Sequence, residues 1–154
     1  MTITYPKRKV KVPPTVEGVI AARIDLLPPA ARKLLQEMAI GGVEFDFRGV
    51  EILARKEGLE EKEIAAGLQL LRGEGFVLEK SLYPEEVYYF KHALTFDVAY
   101  AQLARTRRQL LHKLQGDFLL RKYSREAERH AAEIAEHYLK GSDRKKAVRW
   151  GIRA

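Results

Sequence analysis

The stretch Val87-Tyr88-Tyr89-Phe90-Lys91-His92-Ala93-Leu94-Thr95-Phe96-Asp97-Val98-Ala99-Tyr100 decides the fold, because the chain changes its periodicity inside it. Val87 to Phe90 is β-branched and aromatic, side chains that pack well on a pleated surface, and reads as a strand. From Ala93 onward Leu94, Val98, Leu103, Leu110, Leu111 and Leu114 recur near helical spacing. Lys91 and His92 therefore fall at a strand-to-helix junction, with His92 near the first helical turn. Free backbone N–H groups and the positive end of the helix dipole favour an anion there, so an imidazole at this place is able to touch a phosphate. The plainer reading of His92 is a capping or partly buried structural histidine.

Working back from the junction, Ser81 to Glu86, containing Pro84, is the turn that joins this strand to one starting at Phe76-Val77-Leu78. Ile64, Ala65, Leu68 and Leu71 make the stripe of a preceding helix. Val50, Leu53 and Ala54 mark a shorter one, stopped by Gly58. Val43 to Phe47 alternates apolar and polar, a short strand or extended piece. Ala31, Leu34, Leu35, Met38 and Ala39 follow an i, i+3, i+4, i+7, i+8 pattern that Gly41-Gly42 ends. Before it, Val16, Val19, Ile20, Ile24 and Leu27 line a helix that Thr15 can cap and Pro28-Pro29 terminates. Helix, short strand, helix, helix and β-hairpin over residues 29–91 is the order of a winged helix.

Working forward, one helix with room for a break covers about 93–120. Ala127, Ala131, Ile134, Ala135, Tyr138 and Leu139 mark another. Gly141-Ser142-Asp143 turns the chain into a last helix with Ala147, Val148 and Ile152. Residues 121–154 are thus expected as two antiparallel helices over about 34 residues, the length of one tetratricopeptide unit. One such unit cannot bury its own face. The last helix stops mid-pattern at Ala154, so the chain reads as a piece of a longer protein. Tyr100, Tyr123, Tyr138 and Trp150 read as packing residues, with Trp150 and Ile152 exposed in an isolated piece and able to drive self-association. The expected fold class is mainly α (α+β): a basic arm over 1–14, a winged helix-turn-helix with its preceding helix over 15–100, and an antiparallel, tetratricopeptide-like helical extension over 101–154.

A chain of 154 residues has room for one core and a smaller appended unit. It has no cysteine, which excludes disulfides and thiolate chemistry. It has no apolar run of about 18 residues and no signal-peptide pattern, so no membrane partner and a cytoplasmic location are expected. The net charge of +7 divides unevenly: residues 1–14 carry +4, residues 15–104 carry −5 and residues 105–154 carry +8. The middle of the chain is acidic and both ends are basic.

Three segments resemble a known family. Val12-Pro13-Pro14-Thr15-Val16-Glu17-Gly18-Val19-Ile20-Ala21-Ala22-Arg23-Ile24-Asp25-Leu26-Leu27-Pro28-Pro29 resembles the segment that follows the ATPase core in bacterial STAND signalling ATPases. These AAA-like proteins are often fused to adenylate or guanylate cyclases, kinases or transcriptional activators, with tetratricopeptide repeats following. Phe90-Lys91-His92-Ala93-Leu94 with Asp97-Val98-Ala99-Tyr100 is similar to their motif after the wing, and Ala135-Glu136-His137-Tyr138 with Lys146-Ala147-Val148 to their first helical repeat. The resemblance implies a regulatory, non-catalytic module whose partners are its own upstream ATPase domain and downstream repeats. It implies no cofactor in this piece, since ADP or ATP would be bound by the absent core. In related NB-ARC ATPases a Met-His-Asp motif after the wing places its histidine on the ADP β-phosphate. Lys91-His92-Ala93 lies at the matching place and Asp97 matches a later Asp, so His92 and Lys91 are carried over as nucleotide-sensing candidates. Ala93 stands where the motif has Asp, and Lys91 where it has Met. No GxxxxGK[ST] phosphate loop occurs.

The alternative is a DNA-binding transcriptional regulator, whose second helix of the pair would enter the major groove. Here that helix starts Glu60-Glu61-Lys62-Glu63, and carboxylates face phosphates at like-charge cost. Nucleic acid is therefore disfavoured as a partner, and a DNA contact would rest on Lys7 to Lys11 or on the basic surface Arg105, Arg107, Arg108 and Lys113. Arg105, Arg108 and His112 share one helical face, expected as a solvated flank. His130, Glu133 and His137 lack the i, i+4 pair of histidines of helical zinc sites, so Glu133 and His137 read as a surface ion pair and no metal is expected. No Ser-His-Asp or Cys-His set suggests catalysis.

Overall fold

Two apolar helical stripes and one aromatic strand organise residues 15–153, the part of the chain that the computed structural model describes. The basic arm expected over 1–14 lies outside the described residues. Thr15 starts α1 (Val16–Asp25), its Oγ1 accepting from the Gly18 N–H at 3.0 Å. Pro29 opens α2 (Pro29–Gly41), where the N–H it lacks would have had no partner in any case. Next come β1 (Glu44–Asp46), α3 (Phe47–Lys56), α4 (Glu61–Gly73), β2 (Val77–Ser81), β3 (Val87–Phe90) and α5 (Ala93–Ala101). Then follow α6 (Arg105–Lys122), a 3-10 turn over Ala127–His130, α7 (Ala131–Lys140) and α8 (Arg144–Arg153). Among the described residues the protein is mainly helical, with one small antiparallel sheet in the order β1-β3-β2.

α2 is the central element, packing on α3, α4, α5 and α6. Leu34, Leu35 and Met38 are wholly buried, each adding about 2 kcal/mol of apolar burial. α4 approaches closely because position 67 is glycine; a Cβ there would stand 2.9 Å from Leu34 Cδ2. β3 lies in the middle of the sheet. Phe45 pairs with Tyr88 and Val77 with Phe90, all four buried. The Phe45 ring meets those of Tyr88 at 6.4 Å and Phe90 at 5.8 Å, so the sheet closes over α2 with an aromatic layer. Asp46 ends β1 and caps α3 through its Oδ1, 2.9 Å from the Arg48 N–H. Gly58 follows α3 at φ +94°, the left-handed conformation that stops a helix there.

The helix expected over 93–120 is interrupted at Gln102–Ala104. Leu103 turns inward at the break to join Ile40, Leu53 and Leu111 in a small cluster that fastens α6 to α2 and α3. The expected start of the next helix also moves: residues 127–130 wind as a 3-10 turn, with His130 stacked on Tyr123 at 3.5 Å, and α7 begins at Ala131. Phe118, Leu119, Ile134, Tyr138, Ala147 and Trp150 form a second core between α6, α7 and α8. Trp150, read as a packing residue that an isolated piece would expose, is buried in it, whereas Ile152 is 81% exposed. The Tyr138 ring lies against Gly116, where a Cβ would come within 2.9 Å of it. Among the described residues no helix is long and apolar enough to cross a membrane.

Gly116→Val should therefore lower unfolding stability by about 1–3 kcal/mol, the usual cost of overpacking a filled interface. Gly151→Ala, where a Cβ meets nothing within 4 Å in an exposed helix, should raise it by up to about 1 kcal/mol. Urea denaturation measures both.

Candidate functional site

The strand-to-helix junction is built by its flanks. Phe90 is buried, its ring edge-on to Phe96 at 5.6 Å, and the Lys91 N–H donates to the Phe76 carbonyl at 3.0 Å. This pins the hairpin two residues before α5. His92 is the N-cap residue, extended at φ −129° and ψ 134°; its carbonyl accepts from Thr95 N–H at 3.0 Å while its side chain makes no capping bond. The Lys91 and His92 side chains are both exposed, so a cation and an imidazole flank the amide-rich start of a nine-residue helix. Asp97 is exposed further along α5. With Leu94 and Val98 it borders an open groove of about 520 Å³ against Glu17 and Gly18 of α1.

The basic residues of α6 are dispersed. Arg105 is exposed, Arg108 lies over the Tyr100 ring at 5.3 Å, and Lys113 Nζ is 3.8 Å from Asp143. Arg107 turns inward, against the expectation of a solvated flank. Its Nε and Nη2 each donate to Glu57 at 2.7 Å, and Nη1 donates to the Gln36 side chain. Glu37 is completely buried beside this pair, 4.0 Å from Arg107, and neither of its oxygens has a hydrogen-bond partner. Burial, reinforced by the Glu57 carboxylate, pushes the Glu37 carboxyl up to about 10. Burial alone would raise Glu57 as well, but the Arg107 hydrogen bonds outweigh it and hold Glu57 below the ordinary range. Glu37 is thus a neutral acid beside an ionised Glu57, and one guanidinium neutralises the group.

His112 belongs to the same face as Arg105 and Arg108 but is not solvated: it is 2% exposed. Its Nε2 lies 2.8 Å from the Tyr100 hydroxyl and its Nδ1 lies 2.9 Å from Nδ1 of His137, which is also buried. The expected Glu133–His137 surface pair is therefore absent; Glu133 is exposed and His137 faces α6. The Nδ1–Nδ1 contact needs one donor and one acceptor, so at least one ring is neutral, and burial favours the neutral form of both. Burial drives His112 down to about 3 and His137 down to about 4, with cationic neighbours adding to it. Among the described residues no group of three or more His, Asp or Glu side chains gathers as a metal site.

Sequence reasoning missed this Tyr100–His112–His137 chain because its members sit on α5, α6 and α7 and only packing joins them. Glu37 did leave a signal: it falls three residues after Leu34 and one before Met38, on the buried face. No family model, curated protein or solved structure matches the chain.

Removing Arg107 strands a buried anion, so Arg107→Met and Glu57→Gln should each cost about 2–3 kcal/mol in urea unfolding. Glu37→Gln keeps a neutral side chain of the same shape and should change stability by less than about 1 kcal/mol. The histidines carry a pH signature. Their folded pKa values lie below the unfolded value of about 6.5, so their stabilisation is complete above that pH and is lost as pH falls towards 4. Between these limits the wild type should lose stability relative to His112→Gln/His137→Gln. A parallel course for the two proteins would refute the neutral pair.

Proposed function

We propose that residues 29–91 are a winged helix, that α6 to α8 begin a tetratricopeptide-like extension, and that the chain is a regulatory, non-catalytic module of a STAND-type signalling ATPase. The exposed Lys91–His92 pair at the start of α5 carries this reading. It offers a positive, hydrogen-bonding surface at the junction the family resemblance singles out. In this reading the module docks on the nucleotide-bound core, with His92 reading the ADP phosphate, and leaves when exchange or an effector favours the open arrangement. Such a switch works only where the two states differ in contact energy. The helical extension carries input from a partner.

The exposed carboxylates Glu60, Glu61 and Glu63 at the start of α4 weigh against insertion of that helix into DNA. In a protein joining this chain to its ATPase core, His92→Ala should weaken ADP retention about tenfold, the loss of one charge-assisted hydrogen bond, and raise basal output. Unchanged ADP affinity would remove His92 from the switch. The chain alone should bind duplex DNA weakly and with steep salt dependence in fluorescence anisotropy. Tight, sequence-selective binding at physiological salt would replace this reading with that of a winged-helix transcriptional regulator.

A further inference from the structure

Two exposed surfaces of the chain complement one another. The first is a groove of about 630 Å³ between α4 and β2, with Ala65, Leu68, Val77 and Leu78 along it. β2 is an edge strand of the sheet. The salt-bridged Arg72–Glu79 pair borders the groove, so its own lining is apolar and close to neutral. The ends of α4 are acidic, with Glu61 and Glu63 exposed in the first turn and Glu74 exposed at the C-terminal cap.

The second surface is the outer side of α8. Ala147 and Trp150 point into the core beneath it, and the helix packs on α7. Outward stand Lys145, Val148, Arg149 and Ile152 at i, i+3, i+4 and i+7, all exposed, with Val148 at 60% and Ile152 at 81%. Arg144 and Arg153 extend the positive face, and the helix holds no acidic residue. Two apolar anchors one turn apart with cations beside them suit an apolar groove between acidic ends, the helix-in-groove mode of recognition. Trp150 fixes α8 on α7 with this face turned away from the described residues.

We propose that α8 of one copy docks in the α4–β2 groove of a second copy, a head-to-tail contact. The two patches are different surfaces, so in a pair one molecule keeps its groove free and the other its α8, and the contact propagates beyond a dimer. Opposite charges at the groove ends and on the helix make it weaken as salt rises. The contact depends on nothing at the Lys91–His92 junction.

Sedimentation velocity on the chain at low and high salt tests the arrangement. Wild type should form species larger than a dimer at low salt that dissociate at high salt. Val148→Asp/Ile152→Asp removes the anchors and Ala65→Arg blocks the groove. All three substituted side chains are exposed, and circular dichroism checks that each variant folds. Each variant alone should be monomeric, with association weakened by at least about tenfold. An equimolar mixture should give a 1:1 heterodimer and nothing larger, because each variant retains the surface the other has lost. Persistent self-association of either variant, no pairing in the mixture, or a monomeric wild type at high concentration and low salt would each overturn the proposal.

Discussion

One guanidinium holds α6 to α2 and to the C-terminal end of α3. Two carboxylates, Glu37 and Glu57, approach each other where α2, α3 and α6 converge, and both are largely removed from water. Two anions there would repel strongly in a medium of low polarity. The structure avoids this by keeping Glu37 protonated and giving Glu57 a two-pronged partner in Arg107. A lysine would not serve equally well, because only the planar fork meets both oxygens of Glu57 while a third nitrogen reaches Gln36. Leu103 and Leu111 supply the apolar contact beside it, and the ion pair fixes the seat of α6 on α2 and α3.

The His112–His137 contact does a related task further along α6. It links α6 to α7 through neutral nitrogens and continues to α5 through the Tyr100 hydroxyl. The two networks oppose each other in acid. As pH falls below about 6.5 the unfolded chain takes up imidazole protons that the folded protein refuses. Glu37 already holds in the folded state a proton that the unfolded chain lacks until pH approaches the ordinary carboxyl range. Between about pH 6.5 and the ordinary carboxyl range near 4.5 their slopes partly cancel, so the pH profile there is flatter than either group alone would make it.

Much of the fold was legible because it rests on short-range patterns. The stripe through Leu34, Leu35 and Met38, the proline pair before α2, the Thr15 cap and the aromatic strand at Val87–Phe90 each carry their signal within a few residues. The break after Ala101 was less visible, because Leu103 keeps apolar periodicity while serving a tertiary cluster. The 3-10 turn at Ala127–His130 was missed for a similar reason: Ala127 fits the helical stripe that follows and the Tyr123–His130 stack does not show in the spacing. Lys91 and His92 were placed correctly at the junction because that boundary is a change of period. Arg107 and His112 were misjudged because helical position gives a face, and only the packing of α2, α3 and α7 says whether that face meets water.

Asp46 joins two of these elements at one atom pair. One of its oxygens caps the first turn of α3, and the other receives Lys122 Nζ at 2.7 Å at the end of α6. A helix beginning and a helix ending are thereby tied to the same carboxylate, although 76 residues separate Asp46 from Lys122. Loss of that carboxylate would therefore loosen the start of α3 and the end of α6 together, two places that the chain itself sets far apart.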